Sequence, residues 1–199
     1  MLVFFNDMLF YTKSWEKHIR HVNRVLQILK EKQLYAKPSK CFYGVMKVEY
    51  LGHIVSHEGV KVDPKKIKAM IDWMIPKTLK NIRGFLGLIG YYHKFVRNYG
   101  RIAVPLTELN KKDAFSWTLE AAQAFEQLKE AICKSLVLTT PYFTKTFSIE
   151  CDTSRNDIGT ILMQEGRTLT FECRPIKGKN LHNPIYEKEM MEILHALKK

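Results

Sequence analysis

The feature that most constrains this chain is a change of hydrophobic period part-way along it. Between residues 63 and 133 apolar side chains return every third or fourth position. Ile67, Ile71 and Met74 form one set, Leu79, Ile82, Leu86 and Ile89 a second, and Ala121, Phe125, Leu128 and Ile132 a third. That spacing lines one face of a helix. From Phe147 the pattern becomes alternating: Phe147, Ile149 and Cys151, then Gly159 to Gln164, then Leu169 to Arg174. Alternation belongs to strands with one buried face. The chain is therefore expected to be α+β, with helices followed by a β-meander and a boundary near residues 140–145.

Start and stop signals refine this. Ser14, Asp63 followed by Pro64, Thr78 and Thr118 each stand just before a helical period and can cap it. Pro76 stops the second helix, Pro105 marks a break, and a last helix begins near Pro184 with Met190, Ile193, Leu194 and Leu197. Ahead of Ser14, residues 2–5 and 8–11 read as strand, turn and strand about Asn6-Asp7. The Ser14 helix carries Ile19, Val22, Leu26 and Leu29, and a connection from Gln33 to Lys40 follows. Val48 to Val62 reads as a hairpin turning at His57-Glu58-Gly59. Gly84, Gly87 and Gly90 sit three apart in the Thr78 helix, where each costs about 1 kcal/mol against Ala. Such a stripe implies close backbone approach, to a partner helix or to a nucleic-acid strand.

Net charge is +12, and its placement matters more than its size. Residues 61–112 hold twelve Lys and Arg against three Asp and Glu, an excess of +9 in a quarter of the chain. Trp73, Phe85, Tyr91, Tyr92, Phe95 and Tyr99 are interleaved with these cations. That combination suits a surface tracking phosphates, although a solvated helix face has the same composition. No run of 18 apolar residues occurs, so no segment is long enough to cross a bilayer as a helix. The apolar start lacks a basic n-region and is interrupted by Asp7, against a signal peptide. Cys41, Cys133, Cys151 and Cys173 are scattered without a C-x-x-C, which points to a reduced, intracellular setting. Cys41 with His53 and His57 could suggest zinc, but the second ligand pair of a finger is missing, and two hairpin histidines are the plainer reading.

In order along the chain, several motifs carry a resemblance. Phe4-Phe5-Asn6-Asp7 is similar to a Tyr-x-Asp-Asp polymerase motif and is followed by Leu9 to Lys13. His18 and His21 fall in an H-x-x-H-V run. Leu34 to Lys37 with Lys40-Cys41, Tyr50-Leu51-Gly52-His53, Phe85-Leu86-Gly87 with Tyr91-Tyr92, Pro105-Leu106-Thr107, Trp117-Thr118, Cys151-Asp152-Thr153-Ser154 and Tyr186 to Glu189 with His195 complete the series. Together they resemble the Pol polyprotein of Ty3/gypsy-type LTR retrotransposons. The resemblance implies a palm remnant with a primer-grip-like hairpin over 1–62 and a helical thumb-like segment over 63–112. It further implies a connection over 113–144 and a truncated RNase H-like domain over 145–199.

What the family's chemistry asks for can be laid against these residues. Both polymerase and RNase H activity use pairs of Mg²⁺ ions held by carboxylates about 3.5–4 Å apart. The resemblance assigns Asp7 to the polymerase set, with Asn6 standing where the motif has another Asp. It assigns Asp152 and Glu189 to the RNase H set. Without the resemblance they read as a strand-end turn residue and a solvated helix residue. As the chain stands, the other ligand positions are not in it, so the isolated chain is expected to be inactive. Its nucleic-acid contacts are expected at Tyr50, Gly52 and His53 of the hairpin. The others are Lys65, Lys66, Lys68, Lys77, Lys80, Arg83, Lys94, Arg97 and Arg101. Three readings follow: a reverse transcriptase/RNase H fragment working within a longer polyprotein, a non-catalytic nucleic-acid-binding protein derived from one, or a decayed element without selected function. RNA, DNA or the hybrid is the implied partner.

Overall fold

A helix leaves its first N–H groups without partners, and Ser14, Asp63, Thr78 and Thr118 each supply an oxygen to one of them. In the computed structural model, Ser14 Oγ accepts from the N–H of Lys17 (3.3 Å) and Asp63 Oδ1 from that of Lys65 (2.9 Å). Thr78 Oγ1 accepts from Asn81 (3.3 Å) and Thr118 Oγ1 from Ala121 (3.2 Å). The structure describes residues 2–12, 14–111, 115–153, 157–176 and 183–196; for Asp152 and a few neighbours in strands or helices it describes the backbone alone. Lys13, Lys112, Ser154 and Leu197, named above, lie outside the described residues.

The helices are α1 (Trp15–Glu31), α2 (Pro64–Ile71), α3 (Leu79–Tyr91), α4 (Tyr99–Glu108), α5 (Leu119–Cys133) and α6 (Ile185–Ala196). The strands are β1 (Leu2–Phe4), β2 (Asp7–Leu9), β3 (Lys47–Tyr50), β4 (His53–Ser56), β5 (Gly59–Val62), β6 (Ser148–Thr153), β7 (Asp157–Gln164) and β8 (Arg167–Pro175). The fold is α+β, as the change of period implies.

Two compact units form, residues 1–57 and 58–199. In the first, β1 and β2 pair with Phe4 opposite Asp7, so Phe5 and Asn6 make the turn and Asp7 opens β2. β3 and β4 pair from Lys47 opposite Ser56 to Tyr50 opposite His53. The two-residue turn between them, Leu51 (φ 50°) and Gly52 (φ 72°), has both residues left-handed. That is the turn whose twist matches a hairpin. The expected single hairpin over Val48–Val62 is thus corrected: it turns first at Leu51-Gly52 and again at His57-Glu58, because the glycine at 52 permits the earlier reversal. Among the described residues of this unit Leu9 and His53 are buried, and α1 buries none.

The second unit has a continuous apolar core. Ile82, Phe85 and Ile89 of α3, Leu106 of α4, and Phe125, Leu128 and Ile132 of α5 are fully buried, with Phe85 and Phe125 rings 4.5 Å apart. Burying one such side chain is worth about 1.5–3 kcal/mol. β6, β7 and β8 form an antiparallel meander whose Phe171 joins this core, with Ile161 packed against it. α4 and the short 3₁₀ turn at His93–Phe95 pack on β8, and α6 packs on β6 and β7.

Two expectations in this unit are corrected. α2 ends at Ile71, so Met70 is buried while Ile71 and Met74 are exposed, not inward; beyond Asp72 the chain is no longer helical and the period lapses. Pro105 lies inside α4 instead of breaking it. The lost N–H removes one bond to the Arg101 carbonyl, a cost that burial of Ala103, Leu106 and Leu109 offsets.

Close approaches tie the strands of this unit together. Val60 and Leu138 exchange backbone hydrogen bonds at 2.8 and 2.9 Å, and the Thr139 N–H donates to the Thr168 carbonyl at 2.8 Å. Arg167 donates to the Glu58 carbonyl (2.6 Å). Gly59, at φ 136°, brings its Cα so near that a Cβ would stand 2.1 Å from the Leu138 oxygen. At Gly100 a Cβ would meet Cys173 Sγ at 2.9 Å and the Cys173 carbonyl oxygen at 3.3 Å.

Candidate nucleic-acid interface

Because α3 turns Ile82, Phe85 and Ile89 into the core, helical geometry places Lys80, Arg83, Gly84, Gly87 and Tyr91 together on its other side. All five are exposed. The three glycines of this helix prove to have different surroundings. A Cβ on Gly84 would meet the Trp73 ring at 3.2 Å, and one on Gly90 the Tyr99 hydroxyl at the same distance. At Gly87 nothing lies within 4 Å. Among the described residues Gly84 admits the Trp73 ring, Gly90 admits the Tyr99 side chain of α4, and Gly87 opens outward.

Cations lie on this helix and on the segments before and after it, and their states differ. Arg83 Nε donates to Asn110 Oδ1 at 3.2 Å. Lys65, Lys66 and Lys68 lie exposed on α2, but Lys68 is held 2.7 Å from Asp72 Oδ2. That hydrogen bond and charge raise its pKa above the usual lysine value. Lys77 precedes the Thr78 cap, and Arg97 and Arg101 are exposed near the start of α4. Lys94 is half-buried with its ammonium 5.5 Å from the Phe95 ring centre, and burial lowers its pKa. Lys111 pairs with Glu108. His93 Nδ1 lies 2.8 Å from the Gly90 carbonyl; a carbonyl only accepts, so that nitrogen carries the proton and donates.

The remaining assigned residues are placed as follows. Tyr50 and His53 face each other across the β3–β4 turn; Tyr50 and Gly52 are half-exposed and His53 is buried. Asp7 is exposed at the start of β2, beside Asn6. The backbone of Asp152 lies in β6 opposite Gly159, its side chain being outside the described residues, and Glu189 is half-exposed on α6. Among the described residues no three His, Cys, Asp or Glu side chains converge as a metal site. At the first hairpin the donors are one carboxylate and one neutral amide. Hard divalent cations want more anionic oxygen than that, so these described residues do not fit a two-ion centre.

Residues 117–199 match the RNase H-like domain found in reverse transcriptase. Over 199 residues the chain is 36% identical to the retrovirus-related Pol polyprotein from transposon 297 of Drosophila melanogaster, covering 99% of this chain and 19% of that polyprotein. The chain belongs to the reverse transcriptase/RNase H family of retrotransposon Pol polyproteins. It is also 50% identical over 125 residues to an uncharacterised mitochondrial protein of Arabidopsis thaliana, covering 62% of this chain and 79% of that one. In fold it matches the foamy viral protease-reverse transcriptase, solved in complex with RNA/DNA hybrid. The TM-score is 0.84 at 20% identity, over 94% of this chain and 26% of that one. The chain spans about a fifth of the length of the transposon 297 polyprotein. The family generally uses divalent metal ions.

Two contacts at the α3 surface were not legible in the sequence. Asn110 lies 27 residues from Arg83, and nothing in its neighbourhood announces the contact. Trp73 falls just past α2, where the lapsed period hid that its ring covers Gly84.

Proposed function

We propose that this reverse transcriptase/RNase H chain holds the backbone of a nucleic-acid duplex against the exposed face of α3. Gly87 carries the reading. A helix-interior glycine costs about 1 kcal/mol relative to Ala, and no neighbour within the described residues requires it. A bare patch of helix flanked by Lys80, Arg83 and Tyr91 lets a sugar or phosphate reach the main chain while cations neutralise it. The segments 1–62, 63–112, 113–144 and 145–199 are assigned to palm, thumb, connection and RNase H. Asp7, Asp152 and Glu189 are assigned as remnants of incomplete Mg²⁺-ligand sets, and Lys77, Lys94, Arg97 and Arg101 as phosphate contacts.

The test is binding of a labelled RNA–DNA hybrid across a salt series. With about four phosphate contacts, log K falls against log salt with a slope of about −3 to −4. Replacing Lys65, Lys66 and Lys68 with Gln flattens the slope by about two contacts; Lys68, already paired with Asp72, adds little. A slope unmoved by the triple replacement overturns the role of α2.

A second reading, binding without polymerisation, is favoured by Asn6. An amide in place of a motif carboxylate removes a negative charge where a dication needs one. Primer extension on a poly-A template with Mg²⁺ or Mn²⁺ is expected to match a heat-killed control. Incorporation above that level, abolished by Asp7→Ala, refutes this reading.

A further inference from the structure

We infer that Asn110 is a positioning residue for nucleic-acid binding, acting by fixing the guanidinium of Arg83 beside the bare surface at Gly87; the inference rests on the binding role proposed for α3. Arg83 projects from α3 one turn before Gly87 and is exposed, where a long side chain ordinarily samples many rotamers. Here its Nε donates to Asn110 Oδ1 at 3.2 Å, across from the turn that ends α4. An arginine Nε–H can only donate, so the amide must present its oxygen, which fixes the Asn110 orientation as well. The turn is itself held by the backbone, the Asn110 N–H donating to the Thr107 carbonyl at 3.0 Å. A guanidinium presents two donor edges, and this contact takes up Nε. The terminal edge, with its two Nη groups, keeps the fork that matches a phosphate. Asn110 thus lowers the entropy lost when Arg83 engages a phosphate, without touching the ligand.

The experiment is a double-mutant cycle on the full chain, read by fluorescence anisotropy with a labelled 20-base-pair RNA–DNA hybrid. Asn110→Ala is expected to weaken binding about three- to five-fold, the worth of one surface hydrogen bond. It should also flatten the salt slope by up to about 0.7–0.9, one phosphate contact. Arg83→Gln is expected to weaken binding at least as much, and in that background Asn110→Ala should have no further effect. Thermal unfolding of both variants should match the parent. Equal Asn110→Ala effects in the two backgrounds, or an affinity loss that follows a lowered melting temperature, overturns the inference and leaves the α3 reading intact. Failure of the parent chain to bind the hybrid, or binding indifferent to Arg83, Lys80 and Gly87 alike, overturns both.

Discussion

Two glycines in neighbouring helices have opposite reasons for being glycine, and substitution separates them. At Gly87 a methyl group meets open space, so Gly87→Ala is expected to stabilise the chain by up to about 1 kcal/mol in urea denaturation. Gly87→Leu should leave stability near the parent's while weakening hybrid binding, because the bulk stands where the ligand comes in. At Gly100 the added Cβ meets Cys173 Sγ at 2.9 Å and the carbonyl oxygen at 3.3 Å. Gly100→Ala is expected to destabilise by about 1–3 kcal/mol, the usual cost of overpacking. Lys94 shows the same division between stability and binding in a titratable group. Burial lowers its pKa, so the charged form is disfavoured in the folded state. The penalty is present in full below the folded pKa and fades as pH rises through the unfolded value of 10.5. Lys94→Met keeps an unbranched stem of similar shape and removes the penalty. At pH 7 its melting temperature should therefore not fall, while affinity for the hybrid does.

At the scale of single elements, the loop leading into β6 depends on one side chain. Gln164 is buried; its Oε1 accepts from the Tyr142 N–H (2.9 Å), and its Nε2 donates to the carbonyls of Tyr142 (2.9 Å) and Lys145 (3.1 Å). Gln164→Met fills the space but removes these three hydrogen bonds, and should cost about 2 kcal/mol or more in chemical denaturation. An unchanged midpoint would show that the loop finds other partners. Elements of this kind divide by how local their causes are. The starts of α1, α2, α3 and α5 were legible, since a Ser, Thr or Asp cap acts on an N–H two or three residues away. α5 was legible throughout, with Ala121, Phe125, Leu128 and Ile132 all buried. The end of α2, the persistence of α4 through Pro105 and the turn at Leu51-Gly52 were not. Tertiary burial or a left-handed backbone decides each of those, and neither leaves a periodic trace. The candidate surface shows the same limit. Its lysines and arginines stood out as a block, whereas the pairing of Lys68, the burial of Lys94 and the opening at Gly87 depend on what the fold sets beside them.

For the second unit as a whole, Phe171 of the meander joins the core built by α3, α4 and α5. Phe171→Ala is expected to cost about 3–5 kcal/mol. Hydrogen exchange should then lose protection in α3 and in β7 together; loss confined to the meander would show that helices and sheet unfold separately. The pairing of Val60 with Leu138 carries a consequence for how the chain is made. A strand segment is joined there to one synthesised some eighty residues later, and the Leu138 oxygen stands where a Cβ on residue 59 would be. At about 5–20 residues per second, β5 leaves the ribosome roughly 4–16 seconds before its mate exists. Through that interval the short strand Gly59–Val62 waits with the Val60 donor and acceptor that Leu138 will take still unspent. The order of synthesis thus makes the second unit one of late assembly, in which α2 to α4 can form as they emerge but the sheet-side closure waits for Leu138.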